Sequence, residues 1–169
     1  MATKWLLDPT HSEITFKVKH LMISNVKGEF TTFNAEIEAE DDTFANAKVS
    51  AIIDTDSIFT NNTDRDNHLK AADFFNAEAN PKITFEATSL NGNVTGNLTI
   101  NGITKPVTLN VDFGGVNVDP WGNTKAGFSF EGKIKRSDFG LTWNEALETG
   151  GVMVSDEVKI AGELQFVKQ

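Results

Sequence analysis

Three histidines and one dense polar cluster are the residues of this sequence best suited to chemistry. His11, His20 and His68 lie far apart along the chain. A zinc site wants three or four ligands in compact spacing, so hydrogen-bonded structural histidines are the better reading. Asp64-Arg65-Asp66-Asn67-His68 offers an acid/base pair beside an Arg clamp. No activated nucleophile accompanies it, and the sequence has no Gly-x-Ser-x-Gly elbow. The cluster therefore reads better as an Arg/Asp/His network that ties a local insert to the body of the protein. Cysteine is absent, which removes disulfides, thiolate nucleophiles, Fe–S clusters and thiolate zinc sites together. There is no Walker loop and no Gly-x-Gly-x-x-Gly. Gly114-Gly115 stands alone in a strand context and reads as a bend or bulge. Glu36, Glu38 and Glu40 precede Asp41-Asp42, but they alternate along one strand face. That is a solvated outer face rather than a calcium loop.

Composition narrows the classes further. The chain has 169 residues, 24 acidic and 15 basic side chains, and a formal charge of −9. That length suits one domain spanning 1–169 with a sizeable core. The negative balance argues against a nucleic-acid partner, which needs a basic stripe, and against electrostatic docking on anionic lipid. No apolar run approaches the ~20 residues of a membrane helix. Residues 1–9 carry no apolar h-region and no cleavage site. As written, the sequence predicts a cytoplasmic protein, or a periplasmic one if a native signal peptide has been lost. Thirteen phenylalanines and no tyrosine indicate aromatic surface without hydroxyls that need partners.

The elements that position these residues are strands. Apolar residues alternate with polar ones at Ile14, Phe16 and Val18; at Phe33, Ala35, Ile37 and Ala39; at Ala47, Val49, Ala51 and Ile53; and at Ile83, Phe85 and Ala87. The pattern resumes at Val94, Gly96, Leu98 and Ile100, at Val107, Leu109, Val111 and Phe113, at Phe128, Phe130, Gly132 and Ile134, and from Val158 to Phe166. Period two marks a strand with one buried face. Eight strands joined mostly by short turns, among them Asn91-Gly92 and Asn101-Gly102, should pair antiparallel. Phe30 and Phe33 cannot both face inward in a regular strand, so a bulge is expected near Thr31-Thr32. Asn62 or Thr63 can cap a short helical insertion over about residues 62–76, with Leu69, Ala72 and Phe75 at helical spacing. A second long connection, 137–155, holds Phe139, Leu141, Trp143 and Gly150-Gly151.

Eight such strands form either a sandwich or a closed barrel. The inward list mixes phenylalanine with Ala35, Ala39, Ala47, Ala51, Ala87, Gly96, Gly132 and Gly162. In a barrel, those small residues would leave an apolar interior volume; in a sandwich, the opposing sheet would fill it. An apolar cavity stays dry and takes an apolar guest.

The order of local motifs resembles the YceI-like polyisoprenoid-binding family. Trp5-x-Leu7-Asp8-x-x-His11-Ser12, Ile14-x-Phe16-x-Val18-Lys19-His20 and Val26-x-Gly28-x-Phe30 are similar to its opening blocks. Arg65-Asp66-x-His68-Leu69-Lys70-x-x-Asp73-Phe74-Phe75-Asn76, Gly96-Asn97-Leu98-Thr99-Ile100 and Arg136-x-Asp138-Phe139-Gly140-Leu141 follow in order. The resemblance implies an all-β, eight-stranded antiparallel, lipocalin-like barrel holding a long-chain isoprenoid of polyprenyl or quinone type, without catalysis or cofactor. Phe16, Val18, Phe30, Ile53, Phe85, Leu98, Leu109, Phe128, Phe130 and Leu164 would then line the tube. Phe74, Phe75 and Trp143 would frame its mouth, and His20 or Arg65 would orient a polar head. His20 is expected to be the main polar group of the lumen, or to sit at its rim. Two other readings stay open. One is a cyclase- or isomerase-like enzyme with His20 as acid/base; the other is a solidly packed barrel that binds through its loops. The pattern also allows a homodimer.

Overall fold

The computed structural model describes residues 2–21, 23–143 and 154–169. Its strands are β1 (Thr3–Leu7), β2 (Glu13–His20), β3 (Ser24–Phe30), β4 (Phe33–Ala39), β5 (Ala47–Asp54), β6 (Ile58–Phe59), β7 (Lys82–Ala87), β8 (Gly92–Ile100), β9 (Ile103–Val118), β10 (Thr124–Lys135) and β11 (Val154–Lys168), with one α-helix, α1 (Thr63–Lys70). Gly150-Gly151 of the second long connection lies outside the described residues.

The strands build a closed, eight-stave antiparallel barrel, not a sandwich. Two staves are made in two pieces. β1 and β2 are separated by a 3₁₀ turn at Pro9–His11, and β3 and β4 by Thr31-Thr32. β1 pairs with β4 and β2 with β3, and the ladder then runs through β5, β7, β8, β9 and β10 to β11. β11 closes the ring by pairing with β2 along one stretch and with β1 at its end, where Trp5 faces Lys168 and Leu7 faces Phe166.

The expected bulge near Thr31-Thr32 is a full break. The Thr31 amide donates to Ser57 O at 3.1 Å, and the Asp54 amide donates to Thr32 O at 3.0 Å. The stave thereby switches neighbours, with β3 pairing β6 and β4 pairing β5. Phe30 is buried and Phe33 packs against the core, so both reach the interior from either side of the break. Gly114-Gly115 is a true bulge: Gly127 faces Gly115 while Phe128 faces Phe113. Asn101 and Gly102 both have positive φ, 55° and 76°, as a two-residue hairpin matching the strand twist requires. The helix is shorter than expected. It ends at Lys70, and the chain continues through turns to Asn80. Asn76 is left-handed, with φ 45°, and the Phe75 amide donates back to Leu69 O at 3.0 Å. That return puts Leu69 and Phe75 together on the barrel while Ala72 stays exposed.

One end is plugged by rings. Phe44, on the loop between β4 and β5, has φ 61° and is fully buried. Its ring centroid lies 5.2 Å from Trp5, 5.2 Å from Phe113 and 5.0 Å from Phe128. A bulky residue in that conformation costs on the order of 1 kcal/mol or more. Burying a whole ring returns about 1.5–3 kcal/mol, so packing wins. Inward glycines correct the expectation drawn from small residues. A side chain at Gly96 would strike the Phe85 ring, one at Gly132 would strike Leu109, and one at Gly162 would strike Phe130. The glycines are seats for a neighbouring strand's large side chain, not open volume. Gly162→Ala should destabilise the barrel by about 1–3 kcal/mol, because its Cβ would also lie 2.7 Å from Glu13 O. The urea midpoint measures this, and an unchanged midpoint would refute the seating.

Asp8 fastens the corner between β1 and β2. Its carboxylate accepts from the Thr10 amide at 3.1 Å, the Thr10 hydroxyl at 2.7 Å and Lys125 Nζ at 3.2 Å, and it lies 2.8 Å from His11 Nδ1. These partners, Thr10 first, hold the carboxyl well below the usual carboxylate range. Because the folded pKa lies below the unfolded ~3.9, the stabilisation is full above that value. It is lost as pH falls from there through the folded pKa. Asp8→Ala should therefore lower stability at neutral pH by about 1–2 kcal/mol, with the gap from wild type narrowing below pH ~4. Denaturant titrations at several pH values would show it; a gap that widened in acid would contradict the assignment.

Candidate functional site

The inward faces enclose a cavity of about 310 Å³, within reach of ligand-pocket size. The barrel is therefore not packed solid. The wall positions read from the sequence all border it: Phe16 and Val18 on β2, Phe30 on β3, Ile53 on β5, Phe85 on β7, Leu98 on β8, Leu109 on β9, Phe128 and Phe130 on β10, and Leu164 on β11. His20, Arg65, Phe74, Phe75 and Trp143 border the same space. Among the described residues, those that line the cavity at the plugged end, such as Leu90, Val94 and Phe166, are apolar.

The polar residues gather at the other end, the mouth. His20 is the last residue of β2, half-buried, and paired across the ladder with Ser24 and Val154. It belongs to the rim and is not the main polar group of the lumen, since Thr60, Arg65, His68 and Arg136 join it. Among the described residues, nothing hydrogen-bonds its ring, so no group there fixes it as a general acid or base.

The Asp64–His68 cluster ties α1 across the opening. Asn62 caps the helix through its side chain, accepting from the Arg65 amide at 3.0 Å. Asp66, buried, accepts from the Thr60 amide at 2.8 Å and the Thr60 hydroxyl at 2.5 Å. Arg65 Nε donates to the same hydroxyl oxygen at 2.8 Å, and Nη2 donates to Thr60 O at 2.5 Å. Its Nη1 makes no hydrogen bond among the described residues and remains available to a ligand. His68 Nε2 lies 3.0 Å from Asp73 Oδ2. The His68 ring stands edge-on between Phe74 and Trp143, with centroids 5.1 and 4.9 Å away. Phe74 and Trp143 are 5.5 Å apart, so the three rings frame one side of the mouth.

Arg136, part of the Arg136-x-Asp138-Phe139-Gly140-Leu141 motif, has an architectural role. It is 6% exposed. Nε donates to Ser155 O at 2.9 Å, Nη1 to Leu141 O at 2.7 Å and Trp143 O at 2.8 Å, and Nη2 to Val154 O at 3.1 Å. Burial pushes its pKa down while the Asp156 charge opposes this; a guanidinium remains charged throughout. Its partners are carbonyls, which leave no mark in a sequence. Val26 and Ile58 also line the cavity. They were missed because β3 and β6 were not recognised as strands.

Four comparisons place this geometry among known proteins. A sequence model of the YceI-like domain matches residues 5–166. A UPF0312 protein of Staphylococcus epidermidis is 44% identical over 166 residues, covering 97% of each chain. The crystal structure of a Campylobacter jejuni YCEI protein is 37% identical with a TM-score of 0.75, covering 89% of this chain and 90% of its own. A polyisoprenoid binding domain from Saccharophagus degradans, implicated in plant cell wall breakdown, shares the fold at 15% identity, with a TM-score of 0.76 and 98% of each chain covered.

Arg136→Met removes the guanidinium's hydrogen bonds to four carbonyls at the mouth. It should cost about 2–4 kcal/mol in the denaturant midpoint. A variant as stable as wild type would show that those carbonyls find other partners.

Proposed function

The chain belongs to the YceI-like family, and from that membership we propose that it carries or stores a long-chain amphiphilic isoprenoid of the polyprenyl or quinone type. The observation that carries this reading is the division of the cavity into an apolar depth and a polar mouth. An isoprenoid tail has no hydrogen-bonding groups, so it loses nothing in a wall of Phe, Leu, Ile and Val side chains. Its transfer from water is worth ~25 cal/mol per Å² buried. The free Nη1 of Arg65 and the ring of His20 would then face a polar head at the mouth, while Phe74, Phe75 and Trp143 flank the first units of the tail. The description of the fold neighbour from S. degradans as a polyisoprenoid binding domain supports the same ligand class. In this reading the protein is a binder, with no chemical step on its guest.

Native mass spectrometry of protein purified without added lipid, followed by organic extraction, should recover an isoprenoid. A fluorescent polyprenyl probe should enter the empty protein. Ala51→Trp, directed into the lumen from β5, should weaken probe uptake at least tenfold while costing about 1–3 kcal/mol of stability. No extracted lipid together with no uptake would discard the reading.

A further inference from the structure

The mouth of the barrel carries a feature that net charge conceals. The β2–β3 hairpin projects beyond the rim residue His20, and its tip exposes apolar surface. Ile23 is 82% exposed and Leu21 38%. Below that tip, the pairing register lines up four lysines side by side on the outer wall. Lys27 faces Lys17, Lys17 faces Lys159, and Lys159 faces Lys133. All four are exposed, as are Lys19 and Lys135 one step nearer the mouth. On the mouth side, Asp156 accepts from the Ser137 amide and hydroxyl, and Glu157 faces Lys135 across the ladder and lies 3.8 Å from Lys133. Among the described residues, no carboxylate within 4 Å pairs with Lys17, Lys19, Lys27, Lys135 or Lys159. Like charges directly opposed across strands destabilise a sheet. A chain of net charge −9 keeps this rung free of acid, while Glu29 and Glu131, two residues along from Lys27 and Lys133 on the same face, bound it on the side away from the mouth.

We propose that this face docks the protein on an anionic phospholipid bilayer, with the lysine row against the headgroups and the hairpin tip in the interface. Each cation near such a surface contributes favourably, and an apolar tip adds hydrophobic anchorage. The tip favours a bilayer over a nucleic acid, whose phosphates would engage the lysines and leave Ile23 in water. Docking would set the rim, through His20, against the membrane. The lipid of the preceding section, on whose assignment this purpose rests, would then pass between bilayer and lumen without crossing bulk water. The overall charge confines adhesion to this one orientation and makes it salt-sensitive.

Flotation with phosphatidylglycerol/phosphatidylcholine vesicles and with pure phosphatidylcholine vesicles tests the proposal on the full chain. Binding should require phosphatidylglycerol and fall steeply with salt. The K17Q/K27Q/K159Q variant should bind roughly a hundredfold more weakly, and Ile23→Asn should bind severalfold more weakly at unchanged charge. Both variants change exposed positions outside the cavity, and both should take up the polyprenyl probe from detergent as wild type does. Equal binding to the two vesicle types would overturn the proposal, as would a lysine variant that binds like wild type. Retention on duplex DNA without binding to the anionic vesicles would also overturn it. Probe uptake without vesicle binding would remove docking and leave the lipid-carrier reading intact. Vesicle binding without uptake would do the reverse.

Discussion

The ladder on β11 is the constraint on which the rest of the molecule depends. This strand is bonded to β10 on one side, and its other side is shared between β2 and β1. A single stave thus finds a partner on both edges, and the sheet meets itself. Closure also fixes which side chains face inward, because a shift of one residue in any ladder would turn that strand's phenylalanines to solvent. Sharing one strand between two partners requires the opposite stave to be broken. The corner at Pro9–His11 is that break, and the carboxylate of Asp8 holds it to Lys125 on β10.

The interior stays open because its large and small residues are placed against one another. Rings laid on glycines hug the wall instead of crossing the bore, as Phe16 does over Gly28 and Phe130 over Gly162. The same rings at the plugged end, without glycine seats beneath them, meet edge to face around Phe44. Phenylalanine therefore serves two opposite ends, lining in one place and filling in the other. Tyrosine could do neither without a hydroxyl to satisfy, which gives the skewed aromatic composition its physical meaning.

Much of this was legible in the residues. The eight alternating runs correspond to the eight staves, because each carries a clean apolar face that period-two reading detects. The short pieces escaped. β3 buries Gly28 and Phe30 and half-buries Val26, but the glycine hides its pattern. β1 is five residues long, and β6 only two. Most of the cavity wall follows from strand phase, and the rings Phe74, Phe75 and Trp143 were expected at the mouth, but the bonds that hold the mouth were not legible. Arg136 reads as a surface cation until the backbone supplies four carbonyls around it. Thr60 reads as a loop residue until Arg65 and Asp66 converge on it. Such contacts are set by chain crossings far apart in sequence, on which periodicity is silent. The lysine row is a similar case: its members come from four strands, and only the register makes them neighbours.

The two ends of the barrel differ in how they could open, and the difference follows from what holds each shut. The plug is built from rings buried among rings, with Phe44 held by its own backbone, whose carbonyl accepts from the Leu90 amide at 2.8 Å. Opening it would expose apolar surface at every step. The mouth is framed by His68, Phe74 and Trp143, joined by edge contacts and by one exposed His68–Asp73 pair. An exposed pair of that kind is worth at most about 1 kcal/mol, so the His68–Asp73 side of the frame yields more readily than the plug, while Arg136 holds the Trp143 carbonyl and Asp66 holds Thr60. A tube with one firm end and one yielding end has a single entrance. The proposed guest must then enter tail first, and its head is left at the mouth beside the His20 ring and Arg65, whose Nη1 makes no hydrogen bond among the described residues.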